Sequence, residues 1–102
     1  MRVHEMHSEK ELNGHKVCEA LSLPSRMRIL QELIKAYPNR LTISKLQQIT
    51  SEPRMTVWFH MNKLREANLV ELNGSRRGFK AVTRALIIRF NGNGIQLEEE
   101  KE

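Results

Sequence analysis

The stretch from Leu41 to Val82, LTISKLQQITSEPRMTVWFHMNKLREANLVELNGSRRGFKAV, constrains the fold of this chain more than any other. Ile43, Leu46 and Ile49 recur at three-residue spacing, so they share one helical face and leave Ser44, Lys45, Gln47 and Gln48 outward. Thr42 stands where an N-cap hydroxyl accepts an orphan backbone N–H. Thr50-Ser51-Glu52 makes a turn. Pro53 then opens a second helix whose Val57, Met61 and Leu64 face inward at spacings of four and three. Arg54, Thr56, Phe59, Asn62, Lys63 and Glu66 are left on its outer faces. Leu69–Leu72 and Phe79–Thr83, rich in β-branched or aromatic residues, read as strands. Asn73–Gly78 joins them, with Gly74 and Gly78 flanking Arg76 and Arg77 near the tip. A duplex-DNA reader needs this order of parts: one helix to brace on the backbone, one to enter the major groove, and a loop to grip beside it.

Upstream, His4–Leu21 reads as an amphipathic helix with Leu12, Val17, Cys18 and Leu21 as its apolar members. Asn13-Gly14 falls in its middle and weakens it by about 1 kcal/mol. Ser22-Leu23-Pro24 breaks it, and Pro24 fits the first turn of the next helix, where a missing N–H costs nothing. That helix runs to about Ala36 on a stripe of Met27, Leu30, Leu33 and Ile34 with Ile29 beside it, and Tyr37-Pro38-Asn39 ends it. Downstream, Leu86–Phe90, Asn91–Gly94 and Ile95–Leu97 suggest a β-hairpin, since Asn-Gly steps supply the positive φ such turns use. A short helix from Arg84 to Phe90 is the alternative. Residues 1–8 are expected to form a flexible arm and residues 98–102 a solvated acidic tail.

A chain of 102 residues, 39% of them hydrophobic, makes one domain with a modest core, which dimerisation would help. No run of 18 apolar residues is present, so a membrane span is not expected, and the first ten residues lack the apolar centre of a signal peptide. The lone Cys18 allows no internal disulfide and fits a reducing cytoplasm. Charge is placed unevenly. Residues 1–24 carry three Lys/Arg and four Glu, net −1. Residues 25–90 carry thirteen Lys/Arg and four Glu, net +9, and residues 91–102 carry one Lys and four Glu, net −3. The positive segment is the one with the two-helix pattern, the footprint expected for a polyanion partner.

Two blocks of residues carry a family resemblance. Leu21-Ser22-Leu23-Pro24-Ser25-Arg26-Met27-Arg28-Ile29-Leu30 resembles the L-x-x-P-x-R-x-x-I-L opening of ArsR-like winged helix-turn-helix regulators. Thr56, Val57, His60 and Leu64, followed by Leu69-Val70 and a Gly-flanked wing, are similar to the family's later T-V-x-x-H-x-x-x-L block. The likeness spans roughly residues 17–83. It implies a mainly α fold with a small β-wing, about four helices, and a dimeric transcriptional regulator on a near-palindromic operator. The chain also departs from the family. The Cys-x-Cys pair of metal-sensing members is missing from the helix Thr42–Ile49, and no His follows His60. Members usually pair through terminal helices, whereas this C-terminus reads as extended. Glu52 occupies a turn position that is commonly apolar.

Arg54, Met55, Thr56, Trp58 and Phe59 are the candidate base readers. Arg54 has the geometry for a guanine edge, while Thr56 and the aromatics suit thymine methyls. Against the aromatics stands packing of Trp58 or Phe59 on the wing or first helix. Asn62 and Lys63, one turn on, are assigned to the DNA backbone. Arg76 and Arg77 suit phosphate or the minor groove, with Lys80 and Lys45 as helpers and Ser44 or Gln47 as phosphate donors. His60 reads as a partly buried structural histidine bonded to backbone or phosphate. His15 and Cys18 lie one helical turn apart with His4-x-x-His7 before them, a set that could gather four N/S ligands. The spacing is loose, a buried inert Cys18 is the other reading, and neither metal nor cofactor is assigned. The chain has no aspartate, no Gly-rich phosphate loop and no placed pair of catalytic groups, so it is not read as an enzyme. The expected partners are duplex DNA and a second copy, which would meet through the first helix and Leu86–Leu97. A winged-helix protein-binding module and a non-specific DNA-compacting protein are the other classes this pattern allows.

Overall fold

A computed structural model of the chain describes residues 2–3, 12–72 and 78–101. The elements are β1 (Arg2–Val3), α1 (Gly14–Ala20), α2 (Pro24–Ala36), α3 (Ile43–Thr50), α4 (Arg54–Glu66), β2 (Val70–Leu72), β3 (Phe79–Ala81), β4 (Ala85–Asn91) and β5 (Gly94–Glu100). The four helices surround one apolar core. Fully buried within it are Val17 of α1, Ile29 and Leu33 of α2, Leu46 of α3, Val57, Met61 and Leu64 of α4, and Phe79 and Ala81 of β3. Two antiparallel sheets complete the fold: β2 with β3, and a three-stranded sheet in the order β1-β5-β4. This is the winged helix-turn-helix α+β arrangement that the sequence led us to expect.

Local chemistry accounts for most boundaries. Pro24 opens α2 and Thr42 caps α3, its Oγ1 accepting the Lys45 N–H at 3.1 Å, a bond typically worth about 1 kcal/mol. The first helix differs from expectation. Asn13 is its N-cap, accepting the Lys16 N–H at 3.0 Å, so Asn13-Gly14 starts the helix instead of weakening its middle; residues 4–11 of the expected helix lie outside the described residues. Gly14 also makes room. A Cβ there would meet Ile95 Cγ2 at 3.0 Å, where the hairpin crosses α1. The α2 face is rotated too: Arg26 is buried and Met27 largely exposed, because Arg26 has polar partners under the helix.

The C-terminal alternatives resolve to a hairpin, Ala85–Asn91 against Gly94–Glu100 in unbroken register. Only the second Asn-Gly step uses a positive φ, at Gly94 (125°); Asn91 Oδ1 instead holds the turn by accepting the Asn93 N–H at 2.7 Å. Residues 98–100 are therefore not a free acidic tail. Glu98 pairs with Arg89 at 2.9 Å and Glu100 with Arg84 at 3.0 Å, each neutralised by the facing strand. Nor are Arg2 and Val3 part of a free arm, since they pair with Glu99 and Glu98. Thr83 ends β3 early: its Oγ1 lies 2.7 Å from the carbonyls of both Ala85 and Glu100, tying the hairpin to the wing.

Candidate nucleic-acid interface

The central unit is α3, a tight turn and α4. The turn begins at Ser51, whose N–H makes the last helical bond to Gln47 O at 2.7 Å and whose left-handed backbone (φ 58°) turns the chain out of α3. Thr50 Oγ1 then accepts the Glu52 N–H at 3.3 Å. Pro53 takes the N-cap place of α4, needing no N–H of its own.

Four polar side chains beneath the turn fix α4 against α2. Arg26 Nε donates to His60 Nδ1 at 3.3 Å, and His60 Nε2 lies 3.0 Å from Glu52 Oε1. Ser25 Oγ donates to Glu52 Oε2 at 3.2 Å, and Arg26 Nη1 to Ala20 O at 3.4 Å. A guanidinium can only donate, so Nδ1 must accept, and the ring proton belongs on Nε2, facing the carboxylate. The buried His60 thus bridges the buried Arg26 to a partly buried acid, leaving neither ring nitrogen unpaired. Ser25 and Arg26 come from the first sequence block and His60 from the second, so the two blocks meet physically here. Sequence reasoning placed His60 as structural but missed its partners. A signal was present: Arg26 and His60 each interrupt an apolar helical stripe, and Glu52 stands where an apolar residue is usual.

With Val57, Met61 and Leu64 fully buried, the opposite face of α4 is open. Met55 (84% exposed), Phe59 (53%) and Asn62 lie on it, Arg54 is exposed in the first turn of the helix, and Thr56 is half-buried beside them. Phe59 carries two cations, Arg26 Cζ and Lys63 Nζ, each 5.6 Å from the ring centroid. Its packing partners are therefore α2 and its own helix, and it stays half in solvent. Lys63 also lies 3.9 Å from Glu66. Trp58 is different. Its ring meets Phe79 edge-on at 5.4 Å between centroids, so it packs on the wing, the arrangement weighed against base reading.

Beside α4, Leu41 and Phe79 exchange both backbone hydrogen bonds at 2.9 Å, clamping the wing to the start of α3. Gly78 is required here. Its φ is 107°, and a Cβ would fall 2.1 Å from Leu41 O. Between the α3 N-terminus, Arg54, Trp58 and the wing base runs a groove of about 450 Å3, with Thr42, Ser44 and Arg54 at its polar wall and Trp58, Leu72 and Phe79 at its apolar one. Lys45 is exposed and Gln47 half-buried on α3, while Lys80 stands opposite Glu71 in the wing. Arg76 and Arg77 lie outside the described residues.

Comparison with protein families matches residues 21–73, just over half of the chain, to the helix-turn-helix domain. The chain belongs to the helix-turn-helix domain family. The matched stretch starts before α2 and ends past β2, so it includes both motif blocks, the Ser25–Glu52–His60–Arg26 network and the whole of α3 and α4. Compared with curated proteins and with solved structures, the chain finds no match. As a helix-turn-helix domain the protein falls among DNA-binding regulators. Among the described residues, no helix is long and apolar enough to cross a membrane, and no group of three or more His, Cys, Asp or Glu is placed to hold a metal ion.

Proposed function

We propose that this chain is a sequence-specific transcriptional regulator of the ArsR-like winged class, which reads duplex DNA as a homodimer. The observation that carries the reading is the division of α4. One face is locked into the core and pinned through His60, while the other presents Met55, Phe59 and Asn62 to solvent and the exposed first turn presents Arg54. Base recognition needs side chains held on a rigid element, and this helix supplies them. In this reading Arg54 takes a guanine edge in the major groove, and Thr56, Met55 and Phe59 meet thymine methyls. Asn62, Lys63, Lys45, Ser44 and Gln47 hold the phosphates. The groove below the wing admits the sugar-phosphate backbone between Ser44 and Arg54. Arg76, Arg77 and Lys80 extend the grip from the wing, and Trp58 supports it by packing.

The reading separates two kinds of loss. Arg54→Ala removes a bidentate base contact worth about 1–3 kcal/mol of discrimination, so preference at one base pair of the bound site relaxes. Replacing Arg76 and Arg77 together with alanine weakens all sequences alike and flattens the dependence of affinity on salt. Fluorescence anisotropy with labelled duplexes at several salt concentrations measures both. An Arg54→Ala variant with unchanged sequence preference would remove α4 from base reading. Affinity indifferent to salt would turn the exposed Met55–Phe59 face towards a protein partner instead.

A further inference from the structure

The sheet β1-β5-β4 has one guarded side and one open side. Arg2 and Val3 cover part of β5, but among the described residues no strand pairs with the outer edge of β4. That edge is seven residues long, ALIIRFN, in unbroken register, without proline, lysine or bulge. Edge strands are normally blunted by such features, because their unpaired N–H and C=O groups recruit another strand. Here Arg89 is the only charge on the strand, and Glu98 of the same hairpin neutralises it. One face of β4 holds Leu86, Ile88 and Phe90. Leu86 and Ile88 rest against the core, while Phe90 is 71% exposed beyond it, next to Ile95 at 39%.

We propose that the outer edge of β4 is the dimer interface, pairing antiparallel with β4 of a second copy into one six-stranded sheet. This rests on the reading of the protein as a homodimer and specifies its surface. Register follows from side-chain alternation. The apolar faces of the two copies fall on the same side only if even-numbered residues oppose even-numbered ones. Centring the two-fold axis on Arg89 would set like charges face to face, and centring it on Ile87 would set Phe90 against Arg84. Centring it on Ile88 pairs all seven residues, places each Phe90 beside the partner copy's Leu86, and sets Arg89 against Ile87. The same strand serves both copies, so the contact closes as a two-fold dimer and leaves no β4 edge unpaired. Phe90 thereby gains an apolar cross-strand neighbour.

The test uses the full chain with Cys18 replaced by serine. Ile88→Cys in that background should form an interchain disulfide under mild oxidation, because the axis sets position 88 opposite itself. Ala85→Cys, which faces Asn91 of the partner, should not. Sedimentation at micromolar concentration should give twice the mass of one chain, and Phe90→Glu should yield a monomer with unchanged circular dichroism. A chain that is monomeric throughout, or a dimer that survives Phe90→Glu without cross-linking at position 88, would overturn the proposal. Duplex binding separates this from the DNA reading. Half-site recognition kept by a Phe90→Glu monomer supports both, and specific operator binding by a dimer that does not cross-link at 88 overturns the interface alone. Cross-linking at 88 without any duplex preference upholds the interface and overturns the DNA reading.

Discussion

The two hairpins of this protein each contain a phenylalanine, and the two are used in opposite ways. In the wing, strands of three residues suffice, because Phe79 is fully buried, Trp58 packs on its ring and Leu41 bonds its backbone. In the C-terminal hairpin, strands of seven residues share one apolar face whose Leu86, Ile88 and Leu97 meet the core, and Phe90 is left 71% exposed. The short hairpin is held by the domain. The long one is held mostly by its own pairing, and its surplus apolar surface faces outward. Strand length here tracks what the rest of the chain fails to supply.

Substitutions should break this contrast in graded steps. Phe79→Ala has the largest expected effect, about 3–5 kcal/mol lost in urea unfolding, with a change in Trp58 emission as its ring contact goes. Gly78→Ala comes next. The positive φ and the clash with Leu41 O should cost about 2–4 kcal/mol by the same measurement, although only one methyl is added. His60→Ala, which leaves the buried Arg26 Nε without its acceptor, should cost about 2 kcal/mol and lower duplex affinity with it. At the other extreme, Phe90→Ser should shift monomer stability by no more than about 0.5 kcal/mol. A loss of several kcal/mol there would mean that Phe90 itself packs on its own domain, and the contrast would fail.

How much of this was legible in the sequence depends on the distance over which each feature is decided. Thr42 as a cap, Pro24 and Pro53 at helix starts, and the inward Val57–Met61–Leu64 face are local, and the structure reproduces them. The start of α1 was misread because Asn13-Gly14 has two local meanings, a weak helix interior or a cap followed by a close approach, and Ile95 decides between them. Periodicity points to Met27 as core and passes over Arg26, since it cannot tell which neighbour of a stripe finds a buried partner. Residues 98–100 looked like a solvated acidic end. Their strand character comes from pairing with Ala85–Ile87 across the hairpin, where Arg84 and Arg89 face Glu100 and Glu98. For the candidate interface, the outer face of α4 was readable, whereas the Trp58–Phe79 contact needed the tertiary fold.

The central claim is that α4 reads base sequence in duplex DNA. Selecting bound duplexes from a random library at about 0.15 M salt, where non-specific contacts are already weakened, tests it most directly. Enrichment of a two-fold symmetric site with half-sites about one helical turn apart is expected. A bound pool with no enriched motif would contradict it.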